Sequence, residues 1–171
     1  MSAFTPFPRP ALFIALALLA ACGEDTASSS AESARAPQTF PASLDRTDTL
    51  AGLDHNLNGI RDDVEQWINS HDTLSVPAQQ ALLRYAHVMQ QTVLASAQHA
   101  PHALELARQQ AAAQACLASL AELRPNAVAW RKRLRQITAN TEARVRAHLA
   151  YSAALDGQSW SLPLQDDCDA R

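Results

Sequence analysis

The sequence predicts an all-α protein, a small helical bundle, on three observations. Alanine, the strongest helix former, fills 35 of the 171 positions, whereas glycine fills only four. Pro77, Pro101 and Pro125 stand at equal intervals of 24 residues. Proline suits the first turn of a helix and not its interior, so each is read as a helix start. Between them, apolar residues recur at i, i+4 and i+7. The alanine content argues against an all-β sandwich, and the lack of a glycine-rich phosphate loop excludes a Rossmann or P-loop enzyme.

Taken in order, the helical elements begin with Asp62 to Asn69, which sets Val64, Trp67 and Ile68 on one face. The segment opened by Pro77 carries Leu82, Ala86, Met89, Val93 and Ala97 at helical spacing. The one opened by Pro101 carries Leu104, Ala107, Ala111, Ala115 and Leu120, a stripe of mostly small residues that favours close packing. The third, opened by Pro125, carries Trp130, Leu134 and Ile137 and then meets Asn140-Thr141-Glu142, where a new N-cap is expected. A last helix, carrying Val145, Leu149 and Ser152 at helical spacing, is expected to end near Gly157. The three proline-opened segments share length but not sequence, so no solenoid is read.

Ahead of the bundle, residues 11–21 form an apolar run too short to span a bilayer and of the size of a signal-peptide core. It runs into Leu19-Ala20-Ala21-Cys22-Gly23, which resembles the lipobox of bacterial lipoproteins. The resemblance implies a signal peptide over 1–21 and a lipidated Cys22. It further implies a chain anchored in the bacterial cell envelope, with Gly23 pointing to the outer membrane facing the periplasm. Residues 22–48 are rich in Ser, Thr, Ala and Pro without apolar periodicity and read as a flexible tether. The helical domain is then expected over 49–171.

The most specific motif lies at the start of that domain. Asp54-His55-Asn56-Leu57-Asn58-Gly59-Ile60-Arg61-Asp62-Asp63-Val64-Glu65 fits D-x-[DN]-x-[DN]-G-x₅-E at every specified place. A hard cation the size of Ca²⁺ takes six to eight oxygens at about 2.4 Å. Asp54, Asn56 and Asn58 would turn alternate side-chain oxygens inward, Gly59 would allow the bend and Ile60 would offer its carbonyl. Asp62 would bind through water, and Glu65 would close the shell with both oxygens. The loop resembles those of EF-hands and, more closely, the calcium repeats of thrombospondin type 3. Two departures argue against a paired sensor: no helix enters the loop, and Ile60 with Arg61 following places the aliphatic residue one position early. With Asn at two of the first three ligand places, an affinity of roughly 10⁻⁵ to 10⁻³ M is expected. An Asn-Gly turn leading into a helix start is the alternative reading of the same residues.

With Cys22 lipidated, Cys116 and Cys168 remain as a pair suited to one structural disulfide in an oxidising compartment. It would close a segment whose entropy suggests roughly 4 kcal/mol of stabilisation. The six histidines show no zinc-ligand spacing; His99 and His102 flank Pro101 loosely. Between residues 124 and 146, seven basic side chains face Glu142 alone: Arg124, Arg131, Lys132, Arg133, Arg135, Arg144 and Arg146. They spread over several helix faces and read mainly as a solvated surface, balanced by Asp166, Asp167 and Asp169. After loss of 1–21 the chain carries a formal charge of −4, which gives no reason to expect nucleic acid.

No nucleophile–base constellation stands out, so no enzyme is expected. The expectation is an envelope lipoprotein with a structural Ca²⁺ loop and a structural or interaction role, held to the membrane through Cys22. The whole-chain pattern resembles uncharacterised proteobacterial lipoproteins that carry such a loop, and this implies no activity. The competing expectation is a periplasmic adaptor or inhibitor that uses the segment 124–146, with Arg131, Lys132, Arg133 and Arg135 foremost, on an acidic partner or anionic lipid.

Overall fold

The computed structural model describes residues 41, 43–95, 100–159, 161 and 168. Within them the chain forms five helices: α1 Asp62–Asn69, α2 Val76–Leu94, α3 Ala100–Ser119, α4 Ala127–Thr138 and α5 Glu142–Ala154. The expected all-α bundle is thus the observed architecture, with no strand among the described residues. Helix α2 is the hub, packing against each of the other four. None of the helices is long and apolar enough to cross a membrane.

Capping chemistry sets the helix ends. Ser75 caps α2 by accepting from the Ala78 N–H, with Pro77 in the first turn. Glu122 accepts from the Ser75 N–H (3.1 Å) and hydroxyl (2.6 Å), placing a carboxylate at the positive end of α2. Thr141 caps α5, accepting from the Arg144 N–H at 3.3 Å, as the sequence predicts. Pro125 opens a 3₁₀ turn, Arg124–Asn126, and α4 proper begins two residues after it. The last helix ends at Ala154, and Gly157 (φ +71°) takes the left-handed turn beyond it.

The main core joins α1, α2, α4 and the end of α3. Val64, Trp67 and Ile68 meet Leu82, Ala86, Met89, Leu117, Trp130, Leu134 and Ile137, all buried. His71 stands between Trp67 and Trp130, its ring 4.8 Å from the centroid of each. Its Nδ1–H donates to the Trp67 carbonyl at 2.8 Å. Burial pushes its pKa down, so the ring is neutral at pH 7. A smaller cluster of Ala95, Ala103, Leu106 and Tyr151 joins α3 to α5. Burial raises the Tyr151 pKa to about 12.

Two helix faces differ from the expected ones. On α3 the buried positions are Ala103, Leu106, Ala107, Ala113, Cys116 and Leu117, rotated from the predicted stripe of Leu104, Ala107, Ala111, Ala115 and Leu120. Alanines occur all round this helix and blur its period, and the larger Leu106, Cys116 and Leu117 choose the face. On α5, Val145 and Leu149 are exposed while Arg144, Ala147 and Tyr151 are buried. Here the hydrogen bonds of one arginine outweigh the burial of two aliphatic side chains. Ala97 lies outside the described residues.

Cys116 and Cys168 form the expected disulfide, with Cα atoms 5.1 Å apart. The Cys168 carbonyl accepts from Arg84 at 3.3 Å, a second tie to α2. Trp160, Asp166, Asp167, Asp169, His99 and the whole segment 1–40, including Cys22, lie outside the described residues.

Candidate metal centre

The loop 54–65 is bent by two residues with positive φ, Leu57 (+55°) and Gly59 (+80°). The positive φ calls for glycine at residue 59, and a Cβ there would also stand 2.9 Å from the exposed His87 ring and push it aside. Leu57 has no such excuse in packing. It is 85% exposed, yet holds a conformation that is costly for a leucine.

That curvature gathers polar side chains. Asp54 accepts from the Asn58 N–H through Oδ1 (3.2 Å) and from the Gly59 N–H through Oδ2 (2.9 Å). Asn56 Oδ1 accepts from the Asn58 N–H at 3.2 Å, and Asn58 Oδ1 from the Ile60 N–H at 2.8 Å. Glu65, in the first turn of α1, accepts from Asn56 Nδ2 through one oxygen (3.0 Å) and from Asn58 Nδ2 through the other (2.9 Å). Ile60 buries its side chain in the main core and seats the loop.

Asp54, Asn56, Asn58 and Glu65 are therefore brought together. Asp62 is turned to His55: its Oδ1 accepts from the His55 N–H at 3.1 Å, and its Oδ2 pairs with the His55 ring. The hydrogen bond to the ring lowers the Asp62 pKa and raises that of His55. Among the described residues, no three His, Cys, Asp or Glu side chains gather as a metal-ligand group. Two of the gathered side chains are neutral amides, and one expected ligand is the Ile60 carbonyl. The donor set fits an oxygen-seeking cation. Asp54 and Glu65 supply two negative charges, and Glu65 would close the shell by giving up its two amide hydrogen bonds.

Sequence reasoning missed what holds this loop to the bundle. Arg61 is fully buried and grips the Asp63 carboxylate with two bonds, Nε to Oδ1 (2.6 Å) and one terminal nitrogen to Oδ2 (2.8 Å). It also donates to the carbonyls of Ile137 (2.9 Å) and Thr138 (3.2 Å), the orphan acceptors at the C-terminus of α4. The position that departs from the EF-hand pattern is therefore the one that carries the anchor. That departure was the only available signal.

A second buried arginine, Arg144, holds the segment before the loop. It donates to the carbonyls of Asp45 (2.6 Å) and Thr49 (2.9 and 3.2 Å) and to Asn140 Oδ1 (2.8 Å). Burial and the neighbouring Arg61 charge lower its pKa, opposed by Asp45 and Asp63. Burial raises the Asp45 pKa. Hydrogen bonds from Thr47 and Leu53 and the charge of Arg144 outweigh that and hold it at about 2. Residues 44–48, expected in the flexible tether, thus belong to the folded body; Leu44 packs on its core. Backbone carbonyls do the recruiting, and they leave no trace in composition.

The basic segment is dispersed. Arg144 is buried, Arg124 donates to the Ala118 and Ser119 carbonyls, Arg131 to Gln114 at 2.7 Å, and Arg146 pairs with Glu142. Lys132 and Arg135 are exposed on α4. At least four of these seven cations thus have partners among the described residues.

Fold and geometry together define a small disulfide-closed all-α domain with an oxygen-lined loop at the start of its first helix. No protein family, curated protein or solved structure matches the chain.

Proposed function

We propose that this chain is a lipid-anchored envelope protein whose helical domain is stapled by one Ca²⁺ in the loop 54–65, with a structural or interaction role and no catalytic one. Asp54, Asn56, Asn58, Glu65 and the Ile60 carbonyl hold the ion, and Asp62 joins through water on release from His55. The observation that carries the reading is the exposed Leu57 kept at φ +55°. No apolar burial repays that backbone, whereas a cation drawing Asp54, Asn56 and Asn58 to one side would. The motif match at all specified positions supports the same reading, and the lipobox-like run ending at Cys22 supports the anchor.

Calorimetric titration of the full chain with CaCl₂ tests it. Saturable binding at roughly 10⁻⁵ to 10⁻³ M, abolished in Asp54→Ala/Glu65→Ala, is the expected result. Absence of heat at millimolar calcium reduces the loop to a turn and helix start. For the anchor, Cys22→Ser should move the protein from the membrane fraction to the soluble one; unchanged partitioning would remove that half of the reading.

A further inference from the structure

We propose that calcium at the loop controls the docking of the segment 45–53 on the first turn of α1. This rests on the calcium reading above.

The segment, here called the strap, has no helix or strand of its own. It is closed at both ends on neighbouring residues of the helix that carries Glu65. The Asp45 N–H donates to Asp63 Oδ2 at 2.9 Å, and the Leu53 carbonyl accepts from the Asp62 N–H at 2.8 Å. The ends are also tied to each other, since the Leu53 N–H donates to Asp45 Oδ2 at 2.8 Å. Asp54, the first residue of the loop, follows directly. Any movement of the α1 first turn against Asp54 therefore pulls on both ends of the strap.

What else holds the strap is mainly polar, the buried Arg144–Asp45 ion pair included, while Leu44 just before it packs on the main core. Arg144 takes its carbonyls at Asp45 and Thr49, Asn140 Nδ2 takes the Asp45 carbonyl at 2.8 Å, and Gln90 Nε2 takes those of Leu50 (3.3 Å) and Ala51 (3.0 Å). Leu53 is 55% exposed and adds little burial. These bonds are directional, so a bias applied at the α1 end acts on them together.

The loop supplies that bias. Asp54, Asp62, Asp63 and Glu65 crowd four carboxylates around the α1 N-terminus, with the buried Arg61 balancing Asp63. A divalent cation neutralises Asp54 and Glu65 and fixes Asp54 against α1, which sets the register in which Leu53 and Asp45 meet Asp62 and Asp63. Release of the ion frees Asp54 from α1 and loosens both closures.

Hydrogen exchange of the full chain in detergent, with CaCl₂ or with chelator, tests this beside the calorimetric titration. Calcium is expected to slow exchange at Asp45 and Leu53 at least 10-fold, with a midpoint equal to the calorimetric Kd, while Leu82 to Met89 in α2 stay unchanged. By linkage, Gln90→Met, which frees the middle of the strap, should quicken strap exchange and weaken calcium by the same factor, about 5-fold for the loss of ordinary hydrogen bonds. Calcium heat without any change in strap exchange overturns the coupling and leaves the calcium site standing. Absence of heat overturns both.

Discussion

The two ends of α1 are held by opposite means. Its C-terminal half, with Trp67 and Ile68, is sunk in an apolar core against α2 and α4. Its N-terminal turn and the strap are held by two buried arginines, by Gln90, by the carboxylates of Asp45 and Asp63 and by the backbone carbonyls these donors reach. The first arrangement is non-directional and tolerates exchange among apolar residues of similar volume. The second depends on complete satisfaction: removal of one partner leaves the other charged and buried. An ion at the loop belongs to the second arrangement, and the comparison locates calcium sensitivity there.

The largest effects should come from cutting each side once. Trp130→Ala empties the aromatic centre and should cost about 3–5 kcal/mol in denaturant unfolding. Arg61→Met should cost about as much, since Asp63 and the α4 carbonyls lose their donor. The two differ in rescue: adding Asp63→Leu to Arg61→Met should recover part of the loss, whereas no single partner exchange repairs Trp130→Ala. Additive losses in the arginine–aspartate pair would break the comparison.

Gly52→Ala should follow, at about 2–3 kcal/mol. Residue 52 sits at φ +69°, and a Cβ there would lie 2.2 Å from Arg61 Cδ and 2.4 Å from Asp45 Oδ2. The loss should appear first as faster exchange in the strap, with the α2 amides protected until global unfolding.

Acid separates the regions in a second way. Burial lowers the pKa of His71, and burial with the Arg135 charge lowers that of His148, both from 6.5. The unfolded chain therefore takes up protons first, and stability falls as pH drops below 6.5 toward the folded values. Asp45, lowered from 3.8 to about 2, keeps its contribution above pH 3.8 and loses it as pH falls toward 2. Two limbs are expected in a plot of stability against pH, and His71→Phe should flatten the upper one. A single limb below pH 4 would contradict the assignment of neutral buried histidines.

The smallest effect tests the corrected face of α5. Leu149→Ser should change stability by less than about 0.5 kcal/mol, because Leu149 is 60% exposed. A loss above about 1.5 kcal/mol would restore the face first expected from periodicity.

What was legible in the sequence follows the same division. Proline spacing, the Val64-Trp67-Ile68 face, the apolar rows of α2 and α4, the Thr141 cap and the cysteine pair act through local or period-bound rules, and each was readable. The loop motif was readable as a pattern, including the four side chains that converge. The strap and both arginine anchors were not. Arginine is by default a surface residue, and here its partners are carbonyls 76 to 99 positions away in sequence. A backbone carbonyl has no residue identity, so no spacing could announce it. Val145 and Leu149 then misled by being apolar on a helix whose orientation was fixed by Arg144.

Thermal unfolding of the full chain and of Asp54→Ala/Glu65→Ala over a range of calcium concentrations tests the central claim most directly. The account predicts a melting temperature that climbs with calcium, by roughly 10 °C at a hundred times Kd, and a double variant that does not respond. Equal melting curves with and without millimolar calcium would contradict it, and would leave the loop held by Ile60 and the buried arginines.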